Sequence, residues 1–123
     1  MEIVDKKWGR ELIIANEPEY CGKILVVKAR AGSSIHRHLN KKETFYCLQG
    51  KVILILYPED SDEESDDETM LLTPEDEPIT ILPGRWHHFH GVEDSQILEV
   101  STHHDDSDVE RKTESYGPGG PRR

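Results

Sequence analysis

Apolar residues along the chain fall into short runs that alternate with polar positions, and turn-forming residues separate the runs. Each run is bounded by Gly, Pro, Asn, Asp or Ser, and helical periodicity is scarce, which is typical of an all-β sandwich or barrel. We therefore predict strands within residues 11–15, 23–31, 34–38, 43–49, 51–57, 69–72, 79–82, 86–92 and 97–102. Residues 49–51 (Gln-Gly-Lys) lie between two such runs, and we predict a tight hairpin turn there.

The composition indicates one domain interrupted by an acidic segment. The 123 residues include 25 acidic and 15 basic side chains, a formal net charge of −10, and 34% are hydrophobic. Eight of the acids fall in residues 59–68, which contain no basic and no apolar residue. Like charges in such a run repel each other and oppose folding. We predict a single domain over 1–116 with a flexible acidic loop at 58–77, and a disordered tail at 117–123.

Several classes of protein are disfavoured. No apolar run approaches the ~20 residues of a membrane span, and the N-terminal residues lack the apolar core of a signal peptide. The acidic balance disfavours nucleic-acid binding, which needs a concentrated basic face. Cys21 and Cys47 have no CxxC spacing, and we expect two buried free thiols. The sequence thus predicts a cytoplasmic protein that binds neither membranes nor nucleic acid.

Histidine placement is the most informative feature, because five of the seven histidines fall in IHRH (35–38) and WHHFH (86–90). His36 and His38 are two apart on a predicted strand, so both side chains point to one face. Glu43 follows a polar turn, and an antiparallel return would bring it beside the two imidazoles. In the second segment, alternation points His87 and Phe89 one way. The other three residues, Trp86, His88 and His90, point the other way.

These side chains together predict a metal site. A lone histidine on a strand is usually ordinary polar surface, but an HxH pair, a glutamate and a distant GxxH in strand context favour metal binding. Three imidazole nitrogens and one carboxylate suit Mn²⁺, Fe²⁺, Zn²⁺, Co²⁺ or Ni²⁺. Four protein ligands on an octahedral ion leave two positions for water or substrate. We therefore predict a divalent transition-metal cofactor held by His36, His38, Glu43 and His87.

The spacing around both segments resembles the two sequence motifs of the cupin superfamily. The first motif is matched in its HxH, its four-residue gap, its glutamate and its closing glycine, at Gly32, His36, His38, Glu43 and Gly50. The second is matched by Gly84 and His87, with Pro83 immediately before the glycine. The usual leading glycine of the first motif is displaced, and Arg30 stands at its place. The resemblance implies a small cupin, an all-β double-stranded β-helix or jelly-roll barrel, with the same four metal ligands.

Flanking segments narrow the resemblance to sugar isomerases. Residues 6–11, 23–28 and 98–111, together with the Tyr-Gly pair at 116–117, resemble the cupin domain of mannose-6-phosphate isomerases, including those fused to mannose-1-phosphate guanylyltransferases. The fused enzymes often have Gln where His36 stands. The chain therefore also resembles D-lyxose-type isomerases, which are cupins with a full His/His/Glu/His set of metal ligands.

The resemblance implies aldose–ketose isomerisation. The metal would act as a Lewis acid that stabilises an enediolate, and a base would move a proton between two carbons. Glu99 and His90 are the candidate bases. An outward-facing Glu99 is an equal alternative, and alternation points His90 away from the metal. The implied substrate is a small sugar or sugar phosphate, and Arg85, Lys28 and Arg37 are candidates for binding a phosphate.

Two other functions and the oligomeric state stay open. The chain fits a non-catalytic metal- or sugar-binding cupin module, or an Fe²⁺-dependent dioxygenase-type cupin with the same ligands. A small barrel leaves apolar faces to cover, so we expect a homodimer that uses some of Tyr46, Leu48, Trp86 and Phe89. Trp8 would lie at that interface or close one end of the barrel. We interpret residues 103–106 (His-His-Asp-Asp) as a turn in preference to a second cation site.

Overall fold

A computed structural model of the protein describes residues 1–58 and 67–121 and confirms the predicted all-β class. Each of the nine predicted segments contains a strand, and two further strands, β1 and β11, lie near the ends of the chain. The strands of the described residues are β1 (Glu2–Lys6), β2 (Gly9–Asn16), β3 (Cys21–Val27), β4 (His36–His38), β5 (Glu43–Gln49), β6 (Val52–Leu56), β7 (Glu68–Leu72), β8 (Ile79–Ile81), β9 (His87–Gly91), β10 (Ser95–Ser101) and β11 (Val109–Arg111). A turn of 3₁₀-helix, Asp106–Asp108, precedes β11.

The strands form two antiparallel sheets that face each other in a jelly-roll barrel. A six-stranded sheet has the order β1-β2-β3-β10-β5-β8, and a five-stranded sheet has the order β11-β4-β9-β6-β7. Consecutive strands therefore often belong to opposite sheets. Each sheet therefore has one face towards the interior of the barrel and one face towards the surface.

The predicted hairpin at residues 49–51 is wrong. β5 lies in the six-stranded sheet and β6 in the five-stranded sheet, so the two strands do not pair. Gly50 has φ +86°, and a Cβ there would lie 2.3 Å from Ser95 Oγ. Glycine is thus required where the chain turns sharply from one sheet into the other.

The core fills one part of the barrel interior and polar side chains fill the other. Trp8 is buried and packs edge-on against Phe89 with ring centroids 5.1 Å apart, so it belongs to the core. Alternation at residues 86–90 is confirmed, since His87 and Phe89 are buried and their neighbours are less so. Both cysteines are buried and free, as expected.

Two predicted segments, the acidic loop and the C-terminal tail, lie partly outside the described residues. Residues 59–66 of the predicted acidic loop and residues 122–123 of the predicted tail are outside the described residues. Across residues 1–58 and 67–121, no helix is long and apolar enough to cross a membrane.

Candidate metal centre

Three histidines from two adjacent strands cluster inside the barrel. His36 on β4 is the ladder partner of His87 on β9, and their ring centroids lie 4.3 Å apart. His38 lies two residues further along β4, with its ring 5.3 Å from His36 and 5.9 Å from His87. One ring nitrogen from each lies within 4.8 Å of those of the other two. Imidazole nitrogens at such separations can bind a common ion.

Glu43 reaches the cluster from the opposite sheet. Its Oε2 lies 3.2 Å from His38 Nε2 and its Oε1 lies 3.4 Å from His87 Nε2. The sequence predicted an antiparallel return beside the histidines, but β4 and β5 belong to different sheets. The turn at residues 39–42 crosses between the sheets, so Glu43 faces the imidazoles across the interior. The four predicted ligands are therefore brought together by a different route.

Backbone carbonyls orient two of the rings. His36 Nδ1 lies 2.8 Å from Ser34 O, and His87 Nδ1 lies 2.9 Å from Arg85 O. A carbonyl only accepts, so each Nδ1 carries the hydrogen and donates it. In the neutral ring this tautomer leaves a lone pair on Nε2, which is the form that binds a metal.

The electrostatics of the cluster favour the ligating protonation states. Burial and the neighbouring His87 lower the pKa of His36 to about 3. Burial also lowers the pKa of His38 to about 4, despite the opposing attraction of Glu43. Burial would raise the pKa of Glu43, but His87 and the Lys41 ammonium together hold it well below its usual range. At neutral pH His36 and His38 are neutral and Glu43 is ionised.

These residues fit a divalent transition metal. Among the described residues, neither His87 Nε2 nor Glu43 Oε2 has a hydrogen-bond partner, although both atoms are buried. Unpartnered buried polar atoms are costly, and coordination of an ion would relieve that cost. The set of three imidazoles and one carboxylate suits the late first-row divalent metals. The three-histidine group is the single cluster with metal-binding spacing found in the described part of the chain.

Beside the histidines lies a cavity of about 90 Å³ lined by buried charged groups. Lys41 Nζ lies 2.7 Å from Glu99 Oε2 and 3.6 Å from Glu43 Oε2. Lys23, which is 1% exposed, places its Nζ 3.0 Å from Glu11 Oε2. Burial and the charge of Glu43 raise the pKa of Glu99. Burial would lower the pKa of Lys41, but the carboxylates of Glu99 and Glu43 raise it.

Comparisons with known proteins bear on the fold. No protein-family model matches the sequence, and no curated protein matches it. Among solved structures, KdgF from Halomonas sp. is similar with a TM-score of 0.65 and 20% identity over 80% of this chain and 81% of that chain. An oxalate decarboxylase variant from Bacillus subtilis is similar with a TM-score of 0.77 and 13% identity, over 90% of this chain and 30% of that chain.

A third similar structure is an L-ribose isomerase variant from Acinetobacter sp. in complex with L-ribose. Its TM-score is 0.66 and its identity 14%, over 76% of this chain and 58% of that chain. The protein has a cupin fold. The chain thus spans most of KdgF, but about a third of the oxalate decarboxylase and just over half of the isomerase.

In the cupin barrel, the two candidate bases lie on opposite faces. Glu99 on β10 points inward, is 4% exposed and lines the cavity, so the outward-facing alternative is wrong. His90 lies on the outer face of β9, where its Nδ1 is 2.7 Å from the Tyr116 hydroxyl. It does not line the cavity.

The three candidate phosphate-binding residues are not brought together. Arg37 donates to Glu110 Oε1 at 2.8 Å, and its guanidinium carbon lies 4.7 Å from the centre of the Trp86 ring. Arg85 approaches Glu68 at 4.0 Å, and Lys28 is exposed. None of the three lines the cavity of the cupin barrel.

Several charged residues of the cavity wall were not predicted from the sequence: Glu11, Lys23, Lys41, His104 and Arg111. For Lys23 a signal exists, because it shares the period-2 phase of Leu25 and Val27 on β3 and so points inward. His104 lies in the segment that we interpreted as a turn, and its Nδ1 is 3.1 Å from Lys41 Nζ. Its inward orientation depends on a contact with a residue 63 positions away, for which the sequence offers no signal.

Proposed function

We propose that this protein is a metal-dependent aldose–ketose isomerase that acts on a small sugar or sugar phosphate. The observation that carries the proposal is the position of Glu99, a buried carboxylate in the same cavity as His36, His38 and Glu43. Enolisation of a sugar needs an electrophile at the oxygens and a base at the carbon, and both are available here. That one similar structure is an L-ribose isomerase agrees with this chemistry in a barrel of the same fold.

His36, His38, Glu43 and His87 would hold the divalent ion, with Mn²⁺, Fe²⁺, Zn²⁺, Co²⁺ and Ni²⁺ all compatible. The bound ion supplies Lewis-acid polarisation of the carbonyl and hydroxyl oxygens of the sugar. Hydrogen bonds from Nδ1 to backbone carbonyls keep the His36 and His87 rings in the ligating orientation. The protein therefore orients its ligands before the ion binds.

Glu99 is the base in this proposal. Its carboxylate takes the proton from C2 and returns it to C1, while the proton of the C2 hydroxyl moves to the C1 oxygen, so that an aldose becomes a ketose without a net change in protons. A pKa raised by burial makes Glu99 a better proton acceptor at neutral pH than an exposed carboxylate. The hydrogen-bonding distance to Lys41 holds the carboxylate in one position.

The size of the cavity limits what it encloses. Its volume of about 90 Å³ is below the roughly 300–1,000 Å³ of pockets that enclose a drug-sized ligand. The cavity thus encloses only the reacting end of an open-chain sugar, and the rest of the substrate extends through the mouth.

Proton exchange in D₂O tests the proposal. The full chain is loaded with Co²⁺ or Zn²⁺ and offered mannose, fructose, lyxose, xylulose and hexose 6-phosphates, and exchange is followed by NMR. We expect deuterium at C1 or C2 together with the isomeric sugar. The Glu99→Gln variant should keep its metal and lose the exchange, whereas His90→Gln should retain the exchange. Absence of exchange with every sugar and metal would reject the isomerase and leave a metal- or sugar-binding module.

We further propose that the protein forms a homodimer through the outer face of the six-stranded sheet. Five apolar or aromatic residues form a continuous row across five neighbouring strands, because each is the ladder partner of the next: Ile3, Leu12, Ile24, Leu98 and Tyr46. The row alternates with inward-facing core positions and so faces outward. A contiguous apolar row on a sheet face is typical of an interaction surface.

A further inference from the structure

The charges around the cavity balance before a metal is added. Its lining contains four cationic groups and four carboxylates, namely Lys6, Lys23, Lys41 and Arg111 against Glu11, Glu43, Glu99 and Asp106. A bound divalent ion would therefore give the cavity a net positive charge in a chain whose formal net charge is −10. Such a cavity attracts an anionic ligand.

Arg111 is placed to receive that ligand. On the β4–β11 ladder, Arg111 is the direct partner of His36, and Val109 is the partner of His38. Residues directly opposite on antiparallel strands point to the same face, with Cβ atoms roughly 5 Å apart. Arg111 therefore faces the cavity beside a predicted metal ligand, and it is among the residues that line it.

Arg111 differs from the other cations of the cavity in having no partner. Lys6 and Lys23 both approach Glu11, at 3.5 Å and 3.0 Å, and Lys41 pairs with Glu99. Among residues 1–58 and 67–121, the side chain of Arg111, which is exposed at the mouth, has no ion-pair or hydrogen-bond partner, and its backbone pairs with His36. Its planar guanidinium can thus donate two parallel hydrogen bonds to a carboxylate or phosphate.

A hydroxyl group also lines the cavity. It belongs to Ser115, whose Oγ accepts a hydrogen bond from Ser34 N at 3.2 Å. Because that bond uses an oxygen lone pair, the hydroxyl hydrogen stays available to a ligand. The cavity wall therefore offers an anion a charged donor, Arg111, and a neutral donor, Ser115.

We propose that Arg111 binds the anionic group of the substrate, a phosphate or a carboxylate, while the other end of the same molecule reacts at the metal. This extends the proposed isomerase function, because it makes the substrate a sugar phosphate or a sugar acid. It also assigns the anion site to a residue other than Arg85, Lys28 and Arg37. Since Arg111 is opposite His36, the anionic group lies within a few atoms of the reacting carbons.

Titration with inorganic phosphate tests the assignment directly. The Zn²⁺-loaded full chain is titrated by calorimetry as wild type, as Arg111→Gln and as Arg37→Gln. Arg37 is the matched control, since it lies on the same two-stranded ladder, faces the surface and pairs with Glu110. We expect phosphate affinity to fall about tenfold or more in Arg111→Gln, as for loss of a charged hydrogen bond, and to stay unchanged in Arg37→Gln. Equal affinity in all three proteins would overturn the proposal.

Arginine modification gives a second test that needs no variant. Phenylglyoxal is applied to the wild-type protein, and modified peptides are quantified by mass spectrometry. Phosphate should protect Arg111 and leave the modification of Arg37 unchanged; equal protection of both, or of neither, contradicts the assignment. A parallel titration with acetate distinguishes the source, because tighter phosphate binding indicates a sugar phosphate and tighter acetate binding indicates a sugar acid.

The two proposals fail separately. If phosphate binding depends on Arg111 but no sugar exchanges deuterium, the anion site stands and the isomerase function is rejected. If sugars exchange deuterium but wild type and Arg111→Gln bind phosphate with equal affinity, the isomerase function stands and the anion site is rejected.

Discussion

Lys41 Nζ lies 2.7 Å from Glu99 Oε2, and both side chains are almost completely excluded from solvent. The pair joins the β4–β5 turn to β10, so it connects the segment that carries Glu43 to the strand that carries the proposed base. Lys41 and Glu99 each supply a counter-charge to the other, and Glu43 supplies a second, more distant one to Lys41.

Lys41→Met should destabilise the protein by about 3 kcal/mol or more, because removing one partner leaves an uncompensated buried charge. Urea unfolding followed by circular dichroism measures the free energy of unfolding. Lys42→Met is the matched control, since Lys42 is the exposed neighbour and should change stability by less than about 0.5 kcal/mol. A double variant, Lys41→Met with Glu99→Leu, should recover part of the loss. A Lys41→Met protein as stable as the wild type would mean that the pair contributes nothing.

The double variant His36→Ala, His87→Ala should lose stoichiometric metal while it keeps the β signal in circular dichroism. Both side chains converge on one point, so their removal leaves His38 and Glu43 as ligands, too few to hold the ion. Metal content after dialysis, measured by atomic emission, checks this. His90→Ala is the control and should keep its metal, because its side chain lies on the outer face. Full metal in the double variant would refute the ligand assignment.

Tyr116 should make stability depend on pH in the alkaline range. Burial, and then Tyr57, raise the pKa of Tyr116 from 10.0 to about 12. The unfolded chain therefore releases this proton first, and the stabilisation is present below about pH 10 and is lost as pH rises towards 12. In an ultraviolet titration of the four tyrosines, one phenol should ionise last, and Tyr116→Phe should remove that late step. If the late step persists in Tyr116→Phe, the phenol that ionises last is that of another tyrosine.

The proposed dimer predicts a mass of twice 14.1 kDa in size-exclusion chromatography with light scattering. Leu12→Asp should convert it to the monomer, because the substitution puts a charge within the apolar row, between Ile3 and Ile24. Leu71→Asp changes an exposed leucine of the other sheet and should leave the mass unchanged. A wild-type mass of 14.1 kDa would refute the dimer.

The strands could be predicted where hydrophobic alternation was strong enough. β1 was missed because its sequence, EIVDK, has only two apolar residues, and β11 was missed because its sequence, VER, has only one. Both lie at the edges of their sheets and are held by pairing with a neighbour, which is a tertiary effect. The hairpin error at residues 49–51 has a related cause, since a turn signal does not say which sheet the next strand will join.

The histidine cluster could be predicted because its ligands follow the period-2 geometry of strands. The charged wall of the cavity could not, since pairs such as Lys41 and Glu99 form between residues 58 positions apart. The direction of Glu99 needed knowledge of which face of β10 is interior. Arg111 was missed because its position depends on the unpredicted pairing of β11 with β4.

The four predicted metal ligands come from both sheets, with Glu43 on one and the three histidines on the other. An ion bound there would fasten the two sheets together, and they could not separate without releasing it. The melting temperature should therefore rise with the free metal concentration, by mass action on the folded state. Hydrogen exchange at the backbone amides of β5 and β9 would slow on metal addition. The ion would then stabilise the closed barrel in addition to acting as a cofactor.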